Sequence, residues 1–593
     1  MSDDWFPNFG SLDATPPSWA PKRPVRIAVL GDFSAGAASG RLETGADLAS
    51  RKLIPVEFDN LEDTLARLEV KLSLPIGDGG AGVEVEFNEL DAFHPDPLYR
   101  ELGVFKALAD LRKRLNNTAT FAKAAAEVQS WAGGGKKRVS RSGKRRSRSG
   151  APAADAKLSD FARLIGASPD VVTDGPVDAL LRSIVGPFVV KAPDPKRDAL
   201  VATVDSALSD AMRAVLHQPE FQNLESLWRG MDMLLRRIET GPQLQVLLVD
   251  VSADEFAADL SSVDDLSETG LYSMLVDKPS HDKNGGLSLI CGLYQFEPTP
   301  PHAELLGRMA KIAAHAGAPF VTSMATDLLM DRKKAPHPLV AQALAELRSL
   351  AEGSHLALLS PRFMLRHPYG KRSDPISAFA FEEFTANDGL RGMLWGHPAI
   401  VAAALLAAPT GKTLSIGDLP FHYFVDGDGD QIALPCTERL INADTAARLR
   451  QLGIGALMAH KGQPELRAFG LDTVAGAALA LAGLGKPAAT RVGVTTGIKT
   501  RMEPGEAPAP RAARATADDD AGDEVTADDT SSDDASSDAG GGDSDLDALL
   551  ASLGGDDDSS SSDSSSDASS DDSASSDEGE MDPELAALLK SLE

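Results

Sequence analysis

The stretch from Pro219 to Leu235, PEFQNLESLWRGMDMLL, decides how the rest of the chain is interpreted. Its apolar residues recur at steps of three and four, which places them on one stripe of an α-helix. They are Phe221, Leu224, Trp228, Met231, Leu235 and, just beyond, Ile238. By its pattern alone this is an ordinary core helix. Gly230 interrupts it at a cost of about 1 kcal/mol relative to alanine, so we expect a neighbouring backbone to pack close there.

The residue identities add a family resemblance. Further stretches follow in order: LQVLLVDVSADEF (244–256), ELLGRMAKIAAHAGAPFV (304–321), SPRFMLRHPYG (360–370), FEEF (381–384) and LPFHYFVDGDGDQIALPCTE (419–438). Together with the helix they resemble the large subunit of the contractile sheath of bacterial type VI secretion, the TssC (VipB-like) family. The core of the family signature in this sequence is Phe221, Leu224, Trp228, Arg229 and Gly230.

The N-terminal part resembles a different family. RIAVLGDFS (26–34), RKLIPVEFDNLEDTLARL (51–68) and ELDAFHPDPLYRELGVFKALADLRKRL (89–115) are similar to the small sheath subunit, the TssB (VipA-like) family. The chain is therefore interpreted as a fusion of a small-subunit-like half and a large-subunit-like half.

The expected fold class is α/β, with mixed-sheet, contractile-sheath-like domains joined by a basic linker and followed by a disordered acidic tail. Strand, helix and strand patterns at 287–294, 302–316 and 319–324 predict a right-handed crossover between parallel strands. The motif DGDGD (426–430) predicts a hairpin turn. The predicted regions are an N-terminal extension (1–20), a small-subunit-like domain (21–125), a basic linker (126–156), a large-subunit-like domain (157–500) and an acidic tail (501–593).

Charge is distributed very unevenly along the chain. The formal net charge is −30, but residues 517–593 contain 26 Asp or Glu and a single Lys, so the rest of the chain is nearly balanced. Between residues 136 and 148 there are eight Lys or Arg and one apolar residue, Val139. Composition of this kind predicts a disordered tether and a disordered tail. The basic segment lacks aromatic residues that would stack on bases, so a solvated tether or an electrostatic partner for the acidic tail is favoured over nucleic acid.

Two further features bear on the compartment. Cys291 and Cys436 lie in apolar, strand-like runs, which favours reduced core thiols in a cytoplasmic protein over a disulfide framework. The longest helical apolar run, residues 399–408, has ten residues, about half of what a membrane span needs. We expect a cytoplasmic protein without membrane insertion, and the acidic N-terminus does not begin a secretory signal.

No motif predicts catalysis, a cofactor or a metal. PTGKT (409–413) imitates the end of a phosphate-binding loop, but the position of the required first glycine is Leu406 and a helix precedes the loop. Asp426, Asp428 and Asp430 have the spacing of calcium-loop ligands, yet Gln431 and Thr437 occupy the positions that need Gly and Glu. The histidines lack paired ligand spacing, so they are expected in the core or on the surface.

The acidic tail contains a duplicated pattern. LDALLASL (546–553) and LAALLKSL (585–592) agree at six of eight positions, and both carry leucines on one helical face. We interpret them as short helices that fold on docking into a partner, the alternative being a solubilising tail with chance leucines. The leucines are Leu546, Leu549, Leu550, Leu553, Leu585, Leu588, Leu589 and Leu592.

The resemblance implies a structural role. Members of these families pair as small and large subunits, polymerise into a helical tube around an inner-tube protein on a baseplate, and contract to propel that tube. It also implies a helix recognised by a disassembly ATPase of the AAA+ class, whose pattern is matched by Leu158, Phe161, Leu164 and Ile165. The family's long C-terminal region has no counterpart after about residue 484. A non-polymerising sheath-like adaptor or assembly factor, docking through the acidic tail, therefore stays open as the alternative.

Overall fold

A computed structural model describes residues 6–18, 23–74, 82–131, 184–185, 196–330, 336–408, 414–426 and 429–482. Within these residues nine strands form one mixed sheet, in the order β11-β15-β14-β8-β7-β6-β1-β5-β2. Its strands are β1 (Val25–Gly31), β2 (Ile54–Val56), β5 (Leu244–Asp250), β6 (Leu289–Phe296), β7 (Phe320–Met324), β8 (Leu356–Ser360), β11 (Ser415–Ile416), β14 (Ile454–Ala459) and β15 (Leu466–Phe469). The six strands from β5 to β14 in this order are parallel, and β2, β15 and β11 each pair antiparallel with their neighbour.

Helices cover both faces of the sheet. On the small-subunit-like side they are α1 (Gly45–Ala49), α2 (Leu61–Arg67), α3 (Pro95–Glu101), α4 (Gly103–Asn116) and α5 (Phe121–Ser130). On the large-subunit-like side they are α6 (Arg197–Leu216), α7 (Pro219–Arg237), α8 (Ala253–Ser261), α9 (Gly270–Tyr272), α10 (Lys278–His281), α11 (Pro300–Ala316), α12 (Pro338–Ser349), α13 (Pro398–Ala407) and α14 (Ala443–Gln451). A π-helical turn, Ser273–Asp277, joins α9 to α10.

The first strand of the chain lies in the middle of the sheet. All seven residues of β1 are buried, and β1 pairs in parallel with β5 on one side and β6 on the other. Ile27 and Val29 face one hydrophobic core, whereas Ala28 and Leu30 face the other. From the sequence, residues 25–31 are expected in a separate small-subunit-like domain (21–125). The structure corrects this, because the strand belongs to the sheet built by the large-subunit-like half.

Each face of the sheet has its own core. Helix α7, with α6 and α13, covers the face that also receives the small-subunit-like helices α3 to α5. Helices α8, α11, α12 and α14 contribute to the opposite core. Helix α13 is buried along most of its length because it packs against β6, β7, β8 and α7. In the described residues no helix is long and apolar enough to cross a membrane.

Three short two-stranded sheets lie beside the main sheet, formed by β3 (Val70–Leu74) with β4 (Val83–Phe87), β9 (Phe363–Met364) with β10 (Trp395–Gly396), and β12 (Tyr423–Val425) with β13 (Gln431–Ala433). The last of these is the predicted hairpin, and the amide of Asp430 donates to Asp426 Oδ1 at 2.8 Å across its turn. The predicted strand-helix-strand unit is also confirmed, as β6, α11 and β7 with parallel strands. The mixed α/β class follows as expected.

Two local expectations are wrong. In the part of the chain that the structure describes, no neighbouring backbone approaches Gly230, since a methyl group there would meet Ile400 Cγ1, at 3.6 Å. The linker does not begin at residue 126 either, because α5 continues to Ser130 and the Trp131 side chain is buried behind it. The remainder of the predicted linker, residues 132–156, lies outside the described residues.

The environment of Gly230 generates a stability prediction. Replacing Gly230 by alanine fills ordinary contact space and removes a mid-helix glycine, so the free energy of unfolding should rise by up to about 1 kcal/mol. Gly292→Ala is the matched contrast, because a methyl group in β6 would overlap the Phe320 ring and should destabilise. Urea unfolding of the unassembled chain measures both. A loss of stability in Gly230→Ala would contradict the packing described here.

Candidate functional site

The signature helix α7 joins the two halves of the chain. Phe221 packs edge-on against the rings of Phe87 and Phe93, with centroids 5.9 and 5.8 Å away. Two turns further along the same helical face, the indole Nε1 of Trp228 donates to the carbonyl oxygen of Phe33 at 3.0 Å, and the two rings meet edge to face. Phe33, Phe87 and Phe93 all belong to the small-subunit-like half. Phe221 and Trp228 of the family signature therefore form the contact between the halves.

The remaining signature residues have distinct surroundings. Leu224 is buried in the same core as Phe221. Gly230 faces α13, and Arg229 is one-quarter exposed with its guanidinium turned towards a buried ion network. Phe221 and Trp228 thus contact the small-subunit-like half, whereas the neighbours of Arg229 and Gly230 belong to the large-subunit-like half. Their role in assembly stays a prediction.

A second layer of the junction is formed by α4 against α6. Leucine side chains of α4, including Leu108 and Leu111, are buried in the core that also holds Val204 and Leu208 of α6. At the rim the guanidinium of Arg112 pairs with Asp205, which is one of several surface ion pairs and contributes little by itself. The contact is thus mainly apolar.

Asp96, at the start of α3, adds a polar contact between the halves. Its carboxylate accepts from the amides of Ser377 and Ala378 at 2.9 to 3.1 Å and from the Ser377 hydroxyl at 2.7 Å. Burial alone would raise the pKa of Asp96, but these hydrogen bonds hold it below its ordinary value. The ionised carboxylate is therefore the form that fixes the 377–378 backbone.

Below α7 lies a buried ion network centred on Arg366. Its Nε donates to Glu225 Oε1 at 2.8 Å, and its two Nη atoms form a fork with Glu383 at 2.7 and 3.0 Å. Arg229 completes the network by donating to Glu225 at 2.7 Å and to the Tyr369 hydroxyl at 3.2 Å. The guanidinium of Arg366 also stacks on the Tyr369 ring, 4.0 Å from its centroid. Because Glu225 and Glu383 are almost fully buried, each needs its arginine partner.

The network holds its members in their charged forms. Burial opposes ionisation of Glu383, but the positive charge of Arg366 dominates and lowers the pKa of Glu383 to about 2. The two carboxylates likewise keep the pKa of Arg366 well above its usual value despite burial. Burial raises the pKa of Tyr369, which stays a neutral hydroxyl. The arrangement is a structural tie between α7 and the 366–383 segment.

A separate charged cluster sits at the carboxyl ends of β1 and β5. Asp32 follows β1, and its carboxylate accepts from the amides of Gly36 and Ala37 at 2.6 and 3.1 Å. Asp250 ends β5 and accepts from both the amide and the hydroxyl of Ser34, at 3.0 and 2.7 Å. The loop after β1 is thereby folded around two carboxylates, one from each half of the chain.

Two arginines from the small-subunit-like half form ion pairs at this cluster. Arg41 donates to Asp250 at 2.8 Å and to Glu255 at 3.3 Å. Arg51 pairs with Glu255 and Glu43, and its Nη1 also donates to the carbonyl oxygen of Asp250 at 2.6 Å. Glu255 is fully buried and closes the capping box of α8 with Ser252. These contacts fasten the loop to the start of α8.

Asp32 is the carboxyl group of the cluster whose pKa is raised most clearly. Burial and the neighbouring charge of Asp250 raise the pKa of Asp32 to about 6, although the two backbone amides and Arg41, 3.9 Å away, act in the opposite direction. Glu255 and Tyr294 also face this region, and burial raises the pKa of Tyr294. The protein therefore opposes ionisation of Asp32.

The other residues predicted from sequence are distributed as follows. The described residues contain neither the helix predicted around Leu158, Phe161, Leu164 and Ile165, nor PTGKT, nor the two leucine repeats of the tail, so these interpretations lie outside them. Cys291 and Cys436 are free, buried thiols. Among the described residues no group of three or more His, Cys, Asp or Glu could hold a metal ion.

Sequence reasoning missed the ion network. Arg366 and Glu383 stand in SPRFMLRHPYG and FEEF, two stretches that were identified only by their resemblance. The available signal was the charge of Glu225 within the buried register of α7, next to Leu224. A carboxylate on a buried stripe requires a cationic partner, but the sequence does not say which arginine supplies it.

Removing one carboxylate should break the network. Glu383→Gln leaves the Arg366 fork with a single carboxylate, so we expect the free energy of unfolding to fall by about 3 kcal/mol at neutral pH. Glu382→Gln is the matched control, because Glu382 is adjacent in the chain but exposed, and it should change stability by less than about 0.5 kcal/mol. Denaturant unfolding followed by circular dichroism measures both, and equal effects would contradict the buried tie.

Asp32 generates a pH prediction of the opposite kind. Because its folded pKa is raised from 3.8 to about 6, its contribution to stability is present below about pH 4 and is lost as the pH rises through 6, by up to about 3 kcal/mol. Asp32→Asn should flatten this part of the pH profile of the unfolding midpoint. An unchanged slope between pH 4 and 6 would show that another group titrates there.

Comparison with known proteins agrees with this two-part organisation. Residues 22–130 match the VipA family model (type VI secretion system, VipA, VC_A0107 or Hcp2). Residues 198–475 match the VipB family model (EvpB/VC_A0108, tail sheath N-terminal domain). The chain is also similar to the type VI secretion system sheath protein TssC1 of Pseudomonas aeruginosa, with 28% identity over 302 residues, which is 46% of this chain and 60% of that relative.

The two matched regions are those that meet at helix α7, with β1 contributed by the first and its neighbours β5 and β6 by the second. This confirms the resemblance found in the sequence: the chain is a fusion of the small-subunit (TssB/VipA-like) and large-subunit (TssC/VipB-like) families of the type VI secretion sheath.

Proposed function

We propose that the chain is a self-contained protomer of a contractile sheath, which polymerises around an inner tube and contracts to propel it. The observation that supports this most directly is the position of β1 between β5 and β6. A small and a large subunit that share one sheet form a complete building block. Covalent fusion then fixes their ratio at one to one.

The role proposed is structural rather than catalytic. Burial raises the pKa of the Cys291 thiol far above neutrality and that of Cys436 to about 11, so neither is a thiolate nucleophile at physiological pH. The charged groups at the junction are engaged in ion pairs and hydrogen bonds with one another. Work in such a machine comes from rearranged contacts between copies, and the proposal needs no cofactor.

Polymerisation requires contacts that do not close into a ring. Among the described strands, the β2 edge of the main sheet is poorly suited to strand addition because Pro55 has no amide hydrogen. The β12–β13 hairpin offers a better surface: Phe424 packs inward against Phe384, while Tyr423 and Val425 are 43% and 49% exposed on the other side. We propose that this exposed side contacts a second copy.

Other partners belong to the same proposal. They are an inner-tube protein, a baseplate and an AAA+ disassembly ATPase, all within the cytoplasm. The relative's name identifies it as a sheath protein, and the match covers 60% of that protein. The competing function is an adaptor that does not polymerise and docks partners through the leucine repeats of its tail.

Electron microscopy and sedimentation of the full chain, alone and with an inner-tube protein, distinguish the two functions. We expect long striated tubes. Tyr423→Lys with Val425→Lys should abolish them, because two charges would be buried at the contact between copies, while the circular dichroism spectrum stays unchanged. Leu328→Lys is the control, since Leu328 is also exposed, at 55%, but lies elsewhere.

Small particles from the unaltered chain under both conditions would overturn the sheath proposal. The adaptor would then be favoured if replacing the eight tail leucines removed the binding of sheath or baseplate components. Tubes that persist in the hairpin variant would leave the sheath proposal standing and remove the hairpin from it.

A further inference from the structure

Residues 8–12 lie in a groove of the large-subunit-like half, although they precede the small-subunit-like half in the chain. The groove is formed by α11 and by residues 260–266. We call residues 8–12 the N-terminal strap. The strap precedes both regions matched by the family models, which begin at residues 22 and 198. It therefore needs an explanation that the family does not supply.

The groove recognises the strap mainly through its backbone. The guanidinium Nε of Arg308 donates to the carbonyl oxygen of Asn8 at 3.0 Å, and Lys311 Nζ donates to that of Gly10 at 2.6 Å. Ser11 adds a short bridge, since its amide donates to Asp264 O at 2.8 Å and its carbonyl accepts from Leu266 N at 3.0 Å. The amide of Asn8 also donates to Glu304 Oε1 at 3.1 Å, and five main-chain contacts over four residues are typical of a bound peptide.

The recognising cation is held by contacts outside the strap. Arg308 is buried, and its Nη1 donates to the carbonyl oxygens of Leu260 and Val263, both at 2.9 Å. Its Nε is thereby aimed at the strap without support from the strap itself. A site held by contacts that do not involve the ligand is preorganised.

Shape complementarity selects a phenylalanine. Phe9 lies across Gly307 of α11 so closely that a methyl group at Gly307 would overlap its ring. Glycine in a helix interior is unfavourable, and here its absence of a side chain makes the space for Phe9. Gly10 follows with φ of +65°, and a side chain there would meet Asp264 O at 2.8 Å. The groove accordingly fits Phe-Gly and no larger second residue.

We propose that this groove is a peptide-docking site for the sequence Asn-Phe-Gly-Ser and that its occupant is the strap of the same chain. Phe9 and Leu12 pack against the core on the α8 and α11 face of the sheet. Helices α3 to α5 of the small-subunit-like half contribute to the core on the opposite face. The N-terminal half thus packs against both faces of the sheet, and its strand β1 lies within the sheet.

A double-mutant cycle tests the docking, because the effect of Gly307→Ala on the urea midpoint should change sign when Phe9 is replaced. Gly307→Ala should lower the urea midpoint in the unaltered chain, because the new methyl group expels the Phe9 ring. In a chain that already carries Phe9→Ala the same substitution should raise the midpoint, since alanine is the better helix residue. Gly103→Ala, in open space at the start of α4, is the control for alanine substitution outside the groove. Stabilisation by Gly307→Ala in both chains would overturn the proposal.

Direct binding supplies a second test. A fluorescent peptide of residues 6–14 should bind the full chain carrying Phe9→Ala, and at least tenfold more weakly the unaltered chain, whose own strap competes. The same peptide with Gly10→Ala should lose at least tenfold in affinity. Failure of the peptide to bind, or equal binding of both peptides, would overturn the assignment of the groove.

Cysteine trapping distinguishes a strap that docks within its own chain from one that docks onto a second copy. Ser11 and Asp265 face each other in an isolated bridge, so Ser11→Cys with Asp265→Cys should form a disulfide within one chain under mild oxidation. The natural cysteines are buried and do not interfere. Disulfide-linked dimers from a mixture of the two single variants, without the internal bond in the double variant, would assign the strap to a second copy and overturn docking within the chain.

Discussion

The insertion of β1 between β5 and β6 is the constraint on which the rest of the structure depends. Seven residue pairs join β1 to β5 and four join it to β6. Without β1 these two strands would have unpaired edges facing each other in the middle of the sheet, where buried amides and carbonyls need partners. The small-subunit-like half is consequently an interior part of the fold, and both hydrophobic cores include its side chains.

The location of the signature helix follows from that insertion. Because α7 covers the face of the sheet beside β1, its side chains reach both halves: Trp228 holds the loop that leaves β1, and Phe221 packs on the β3–β4 ribbon side. Glu225 of the same helix contacts the large-subunit-like half instead. It accepts from Arg366, which also donates to Glu383. The signature residues are close together in the sequence because one helix contacts both the small-subunit-like half and the 366–383 segment.

The two charged clusters have opposite physical characters. Around Arg366, opposite charges outweigh the cost of burial, and Glu383 is held ionised far below neutral pH. At the end of β1, burial and the nearby carboxylate of Asp250 from the other half raise the pKa of Asp32, which therefore resists ionisation. The first cluster ties α7 to the 366–383 segment within the large-subunit-like half, whereas the second places an unfavourable charge at the contact between the halves. A contact between halves that carries such a charge is easier to loosen at neutral pH than in acid.

Individual helices, strands and turns could be predicted from the sequence, but the elements that pack beside them could not. Periodicity and turn residues predict the signature helix, the β6-α11-β7 crossover and the hairpin, since each depends on residues close in the chain. The run VRIAVL is apolar at five of six positions, which is typical of a strand buried on both faces, but the pattern does not say which strands flank it. The same limit explains the error at Gly230, where a side chain of α13, not a backbone, is the neighbour.

Fusion changes the kinetics of this fold more than its equilibrium contacts. Val25 pairs with Leu244, so the central strand must wait for residues more than two hundred positions later before its ladder can form. Closing so long a loop costs only logarithmically more than closing a short one, but non-local pairing is slow. During that time an apolar strand is unpaired and exposed to aggregation. A covalent connection shortens this period, because it keeps the partner strands of the same chain at a high effective concentration. In a chain whose halves share a sheet, the main benefit of fusion is therefore the speed and fidelity with which β1 finds its place.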